Sequence, residues 1–178
     1  MAPTRIVGWL IASDRRAVVT VSALGALLLW ARAPFALKNL FAEDGLIHYQ
    51  QALTSDFLDS LGRHMDGYYV LVPRVIGFIV ALAPVSAAAL VNFLMVALVV
   101  AWMSSTIYLS SETTLRSPVT RLTLAMSVTL LPIVGFESIA NSTNLAYLLL
   151  CGSSVVLLGR QQTSWRRAND VVFIVVAG

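Results

Sequence analysis

Apolar residues in this chain fall in long runs, and polar residues collect between them. Residues 17–33, 86–109, 119–136 and 145–159 are four such runs, and a fifth begins at 171. About 20 apolar residues cross a hydrocarbon core, so the pattern predicts four complete membrane spans and the start of another. The last run is too short to span, which suggests that the 178 residues are the N-terminal part of a longer protein. The predicted fold is all-α: a polytopic membrane helix bundle with amphipathic juxtamembrane helices on its outer face.

Two stretches between the spans carry a pattern of their own. From residue 44 to 61, Leu46, Tyr49, Leu53, Phe57 and Leu61 recur at steps of three and four. That is a helical stripe, with Gln50, Thr54, Asp56 and Ser60 opposite it. It predicts a helix lying along the membrane surface. From Tyr68 to Pro84 the chain is apolar again, but Pro73 and Arg74 interrupt it. A helix over 73–83 covers only about 16 Å, roughly half of the hydrocarbon core, so it is expected to dip into one leaflet without crossing.

Charge placement chooses between topologies. Residues 1–16 are basic, and Ala17 to Ala31 carries no charge. Pro34 after Ala31-Arg32-Ala33 disfavours signal cleavage, so the first run reads as a retained anchor with a cytoplasmic N-terminus. If 68–84 does not cross, Arg116, Arg121, Arg160, Arg166 and Arg167 all fall inside. Glu43, Asp44 and Glu137 then gather outside. That arrangement obeys the positive-inside rule at every link. It predicts a multi-pass protein of the bacterial plasma membrane, with the outer loop spanning residues 34–85.

Composition agrees. Hydrophobic residues are 58% of the chain and charged residues 12%, against about 25% charged in ordinary soluble domains. Mean hydropathy is +0.81. No basic run suits nucleic acid, and the single cysteine, Cys151, forms no internal disulfide. The lipid bilayer is the expected partner.

Candidate chemistry concentrates at the outer loops. Glu43 and Asp44 form an acidic pair just beyond the first span. A carboxylate there can serve as a general base or hold a divalent metal, and Asp44 could equally cap the helix that follows. Glu137 stands at the end of a span, with Asn141 and Asn144 at helical steps beyond it, suited to a hydroxyl-rich ligand. Arg74 can grip a phosphate. His48 lies one helical turn from Asp44. Tyr69 can stack on a sugar or anchor at the interface. No metal-ligand spacing, Gly-rich phosphate loop or nucleophile elbow is present, and no cofactor is specified.

The order of these parts resembles the GT-C superfamily of membrane glycosyltransferases, which includes protein O-mannosyltransferases, oligosaccharyltransferases and aminoarabinose transferases. The resemblance covers residues 15–160. Glu43-Asp44, within Phe41-Ala42-Glu43-Asp44-Gly45, matches the first acidic position. Met65 to Arg74 resembles the lead into the next surface helix. Glu137 matches a second acidic position that is commonly Asp. The resemblance implies transfer from a polyprenyl-phosphate-linked sugar to an acceptor hydroxyl or amine, with Asp44 as base, Glu43 supporting it or holding a metal, and Arg74 on phosphate. Many members need no metal. The competing readings are a transporter or lipid-handling protein without transferase chemistry, and an assembly subunit.

Overall fold

Ser13 starts the first helix. Its hydroxyl accepts a hydrogen bond from the Arg16 N–H at 3.4 Å, satisfying one of the donors that a helix start leaves open. Helix α1 then runs from Asp14 to Arg32. Pro34 lies just past its end and opens a 3₁₀ turn, Pro34–Leu37. The structure is a computed structural model that describes residues 13–41, 43–63, 70–130, 140–159 and 163–177, and within them it is all-helical.

The polar stretch after α1 does not form one helix. Asp44–Tyr49 winds as a wide π turn and passes into α2, Gln50–Thr54. Thr54 donates its hydroxyl to the Gln50 carbonyl at 3.0 Å, a bond that competes with the helix ladder. Ser55 turns extended, with φ −135° and ψ 154°. Helix α3, Phe57–Gly62, restarts in a new direction. The predicted continuous helix over 44–61 is therefore broken at Ser55.

Helix α4 spans Leu71–Ala81. It begins two residues earlier than the sequence suggested, because Pro73 falls in the first turn, where a missing N–H costs nothing. At eleven residues it is about 16 Å long. Phe57 packs on Phe78 at 4.7 Å between ring centroids, which ties α3 to α4. A 3₁₀ turn, Val85–Ala87, leads into α5, Ala88–Ser110, and another, Ser111–Thr113, follows it. Among the described residues this one segment, Val85–Thr113, is long and apolar enough to cross a membrane, with mean hydropathy 2.3 over its best window. Helices α6 (Pro118–Leu130), α7 (Leu145–Leu158) and α8 (Ser164–Ala177) complete the chain. The last helix starts seven residues before the predicted position 171, so Arg166, Arg167, Asn169 and Asp170 belong to it and not to a link.

Helix α5 is the central strut, packed against α1, α4, α6, α7 and α8. Small residues bring the helices close. A methyl group on Gly25 would lie 3.0 Å from Ser104 Oγ, and one on Gly152 would lie 3.0 Å from the Phe173 ring. Val21, Val96, Val100, Met103, Leu149 and Phe173 fill the interior. Leu27, Leu94, Leu98, Leu157, Val171 and Val175 point outward and are more than half exposed or close to it. Ser104, Thr106, Thr129 and Ser153 are buried. Apolar side chains outside and polar ones inside are what a lipid-facing surface requires and what water would penalise.

Polar clusters lie at the two ends of α5. At its C-terminal end, Arg166 bridges Asp14 and Glu112 at 2.5 Å each. Arg121 reaches Glu112 at 3.2 Å and covers the Tyr108 ring at 4.7 Å. Below them, Trp102 Nε1 donates to Asn169 Oδ1 and Ser110 donates to Asp170. The other cluster gathers at the N-terminal end around Asn92, about 20 residues from Glu112 along the helix. At 1.5 Å per residue the two clusters are separated by about 30 Å, the thickness of a hydrocarbon core.

Candidate functional site

The N-terminal end of α5 collects polar side chains from four segments. The π turn brings Glu43, Asp44 and His48, α4 brings Arg74, α5 brings Asn92, and the turn before α7 brings Asn141, Ser142 and Thr143. All of them except Glu43 are buried.

Asp44 is the hub. Only 2% of it is exposed. Its Oδ1 accepts the Ser142 hydroxyl at 2.6 Å, and both oxygens share the Ser142 N–H at 3.0 and 3.1 Å. Asn92 Nδ2 donates to Oδ2 at 3.0 Å. Burial pushes the Asp44 carboxyl above its ordinary range, and the bonds from Ser142 and Asn92 pull only partly the other way. Asp44 does not cap its own helix. Glu43 occupies the position before the π turn and makes no side-chain capping bond. The two ends of this link are 98 residues apart in sequence.

Glu43 sits at the rim, half-buried. Its Oε2 accepts from Asn141 Nδ2 at 2.9 Å. Asn141 is oriented in turn by the Thr143 N–H, which donates to its Oδ1 at 2.8 Å. Among the described residues Glu43 Oε1 accepts no hydrogen bond. The donors around both carboxylates are amides and hydroxyls, so neither carboxylate is neutralised by a cation within the described residues.

His48 lies one turn deeper and is 2% exposed. Its Nε2 meets Thr143 Oγ1 at 3.0 Å, while Nδ1 has no hydrogen-bond partner among the described residues. Burial, followed by the positive charge of Arg74, lowers its pKa to about 4. The imidazole is therefore neutral at pH 7. Arg74 is equally buried and donates Nη1 to Gln51 Oε1 at 2.8 Å. Gln51 is three residues past His48, on the same face, so the two elements interlock.

Gly77 makes that interlock possible. A methyl group there would sit 2.8 Å from the His48 carbonyl oxygen and 2.9 Å from its carbonyl carbon. Those are backbone atoms and cannot swing aside. The absent side chain lets α4 press onto the π turn and carries Arg74, one turn away, to His48.

The apolar stripe of 44–61 does not act as one face. Leu46 and Leu53 are 72% and 57% exposed, whereas Tyr49 is partly buried against the core and Phe57 packs on Phe78. Of the polar positions opposite, Gln50, Thr54 and Asp56 are exposed and Ser60 is buried. The break at Ser55 separates the two halves, and the buried polar groups of the first half are Asp44 and His48.

Of the residues singled out from the sequence, Glu43, Asp44, His48, Arg74 and Asn141 converge. Asn144 is half-buried and precedes α7 without capping it through its side chain. The shared helical face of Asn141 and Asn144 is corrected: residues 141–144 form a turn, and Asn141 points to Glu43. Glu137 and Tyr69 lie outside the described residues. Sequence reasoning missed Gln51, Ser142 and Thr143 as site residues. Asn92 was visible as the lone amide in a long apolar run, but nothing local pointed it at Asp44. Among the described residues no group of three or more His, Cys, Asp and Glu side chains is arranged to hold a metal. No protein-family model matches the chain, and neither does any curated protein or solved structure.

Proposed function

We propose that the chain is a polytopic membrane protein whose outer-face site transfers a sugar from a polyprenyl-phosphate donor to an acceptor hydroxyl or amine. The observation that carries this reading is the carboxylate pair. Glu43 and Asp44 are held by neutral donors at one end of a lipid-suited bundle, and the buried Arg74 lies in the same cluster, bonded to Gln51 and close enough to His48 to act on its charge. Such a site offers a base and a phosphate ligand within one polar cluster. The pattern of ends supports the topology: the arginine-rich cluster lies about 30 Å from the carboxylates, and α4 is too short to cross.

The resemblance gives the base to Asp44. The hydrogen bonds favour exchanging the roles. Both Asp44 oxygens are occupied, and reaching an acceptor would mean breaking buried bonds. Glu43 keeps one oxygen open at the rim. In this reading Glu43 accepts the proton from the acceptor nucleophile. Asp44 is a positioning residue that fixes the turn before α7, and with it Asn141 and Glu43. Arg74 neutralises the departing lipid phosphate. Glu137 remains a candidate for a second acid, and a divalent metal remains an option at the rim.

The test uses the chain in proteoliposomes with a panel of radiolabelled polyprenyl-phosphate hexoses and pentoses. Transfer to an acceptor should occur with at least one donor and be lost in Glu43→Gln. Full transfer in Glu43→Gln, or none with any donor, would sink the reading. Cysteines at Asp56 and Thr114 check the topology, with 56 labelled from outside and 114 from inside. A transport or lipid-handling role is favoured by the buried Ser104 and Thr106 within α5, where Thr106 accepts from the half-buried Asn169. Donor binding or movement without transfer would select it.

A further inference from the structure

The arginine-rich end holds a second feature that the transfer reading does not use. A cavity of about 390 Å³ opens between α1 and α8, lined by Asp14, Arg15, Val18, Val19 and Trp165. Its floor is apolar: Val19 is 68% and Trp165 49% exposed, side by side in sequence-distant helices. Its rim is basic. Asp14 is already engaged by Arg166, so its charge is offset. Arg15 is exposed and makes no ion pair among the described residues. Arg16 and Arg167 are exposed on the same two helices.

We propose that this groove seats one anionic phospholipid at the inner face. Arg15 meets the phosphate, and the first acyl carbons lie across Val18, Val19 and the Trp165 ring. The occupant follows from charge and shape together. An apolar floor one helical turn from a guanidinium matches the spacing between an acyl chain and its phosphate. A tryptophan at that level is the usual interfacial anchor. A zwitterionic lipid would bring its own cation against the arginines, so the site prefers a net negative headgroup. Bound there, the lipid would bridge α1 and α8, the same two helices that Arg166 joins. This inference rests on the membrane reading but not on the transferase one.

The experiment measures quenching of Trp165 by acyl-brominated lipids. The full chain is placed in vesicles containing brominated phosphatidylglycerol or brominated phosphatidylcholine. The Trp165 signal is taken as the difference between the wild type and Trp165→Phe. Brominated phosphatidylglycerol should quench at several-fold lower mole fraction. Arg15→Gln should reduce that preference by about fivefold, the effect of one basic residue at an anionic surface. Lys38→Gln, at the opposite end, should leave it unchanged. Equal quenching by the two lipids would overturn the proposal and leave the membrane reading intact. No quenching by either would overturn both.

Discussion

The two ends of the bundle solve the problem of buried charge in opposite ways. At one end Arg166 is clamped between Asp14 and Glu112, and Glu112 also receives Arg121. Every partner there carries the opposite charge, and the two carboxylates remain nearly half exposed. Such an arrangement holds helices together and uses up its electrostatic capacity doing so. At the other end Asp44 and Glu43 are held by Asn92, Asn141 and Ser142. Neutral donors fix the position of a carboxylate without cancelling its charge. One end is a fastening. The other leaves two carboxylates held but, among the described residues, not paired with a cation, which is the arrangement that the proposed transfer site would need.

The contrast can be broken most sharply at Glu43. If the reserve is catalytic, Glu43→Gln should lower transfer by roughly 10²-fold or more, the usual worth of a positioned base, with little change in thermal stability. Removing Arg166 should leave transfer untouched. Kinetics on both variants in the same membranes separate the two ends.

The next effect is in pH. His48 has its pKa lowered from 6.5 to about 4. A lowered value means that the folded state disfavours the proton. The stability that His48 contributes is therefore present above pH 6.5 and lost as pH falls toward 4. By linkage this amounts to about 3 kcal/mol, to order of magnitude. Asp44 works the other way, since its raised pKa favours the folded state below the ordinary carboxylate range. Thermal unfolding in detergent from pH 7.5 to 4 should show the midpoint falling, and His48→Gln should flatten the curve. A flat wild-type curve would show that the imidazole is not buried as described.

Gly77→Ala tests how the site is assembled. The added methyl group meets His48 backbone at 2.8 Å, so α4 must move. A loss of about 1–3 kcal/mol is expected from overpacking, together with reduced transfer, because Arg74 travels with the helix. Gly62→Ala is the matched control, since a methyl group there meets nothing within 4 Å. Equal melting temperatures for the two variants would remove the interlock.

The smallest effect belongs to the fastening. Arg166→Met should cost about 1 kcal/mol or less, because Asp14 and Glu112 can fall back on water. That cost should shrink further at high salt. A larger, salt-independent loss would mean that the arginine end is more than a fastening.

Much of this fold could be read along the chain. The apolar runs located α1, α5 and α7 and the start of α6 to within a few residues, because a long helix packed this way needs a continuous apolar stretch and its ends need caps, prolines or charge. The shortness of α4 followed from Pro73 and Pro84. That Glu43, Asp44, His48 and Arg74 stood out as candidates followed from polar residues being costly beside long apolar runs unless they are paired or used. Two things were decided only by the tertiary structure. The periodic stripe from Leu46 to Leu61 says that one face differs from the other, but periodicity does not say which face is packed. Here neither face is packed as a whole: Leu46 and Leu53 look out while Tyr49 and Phe57 find partners, and of the polar positions only Ser60 is buried while Gln50, Thr54 and Asp56 are exposed. The meeting of Asp44 with Ser142 also had no local trace. A contact across 98 residues leaves no spacing or cap in either segment. It exists because the N-terminal end of α5 and the turn before α7 meet the π turn, and because Gly77 leaves room for α4 to close on it.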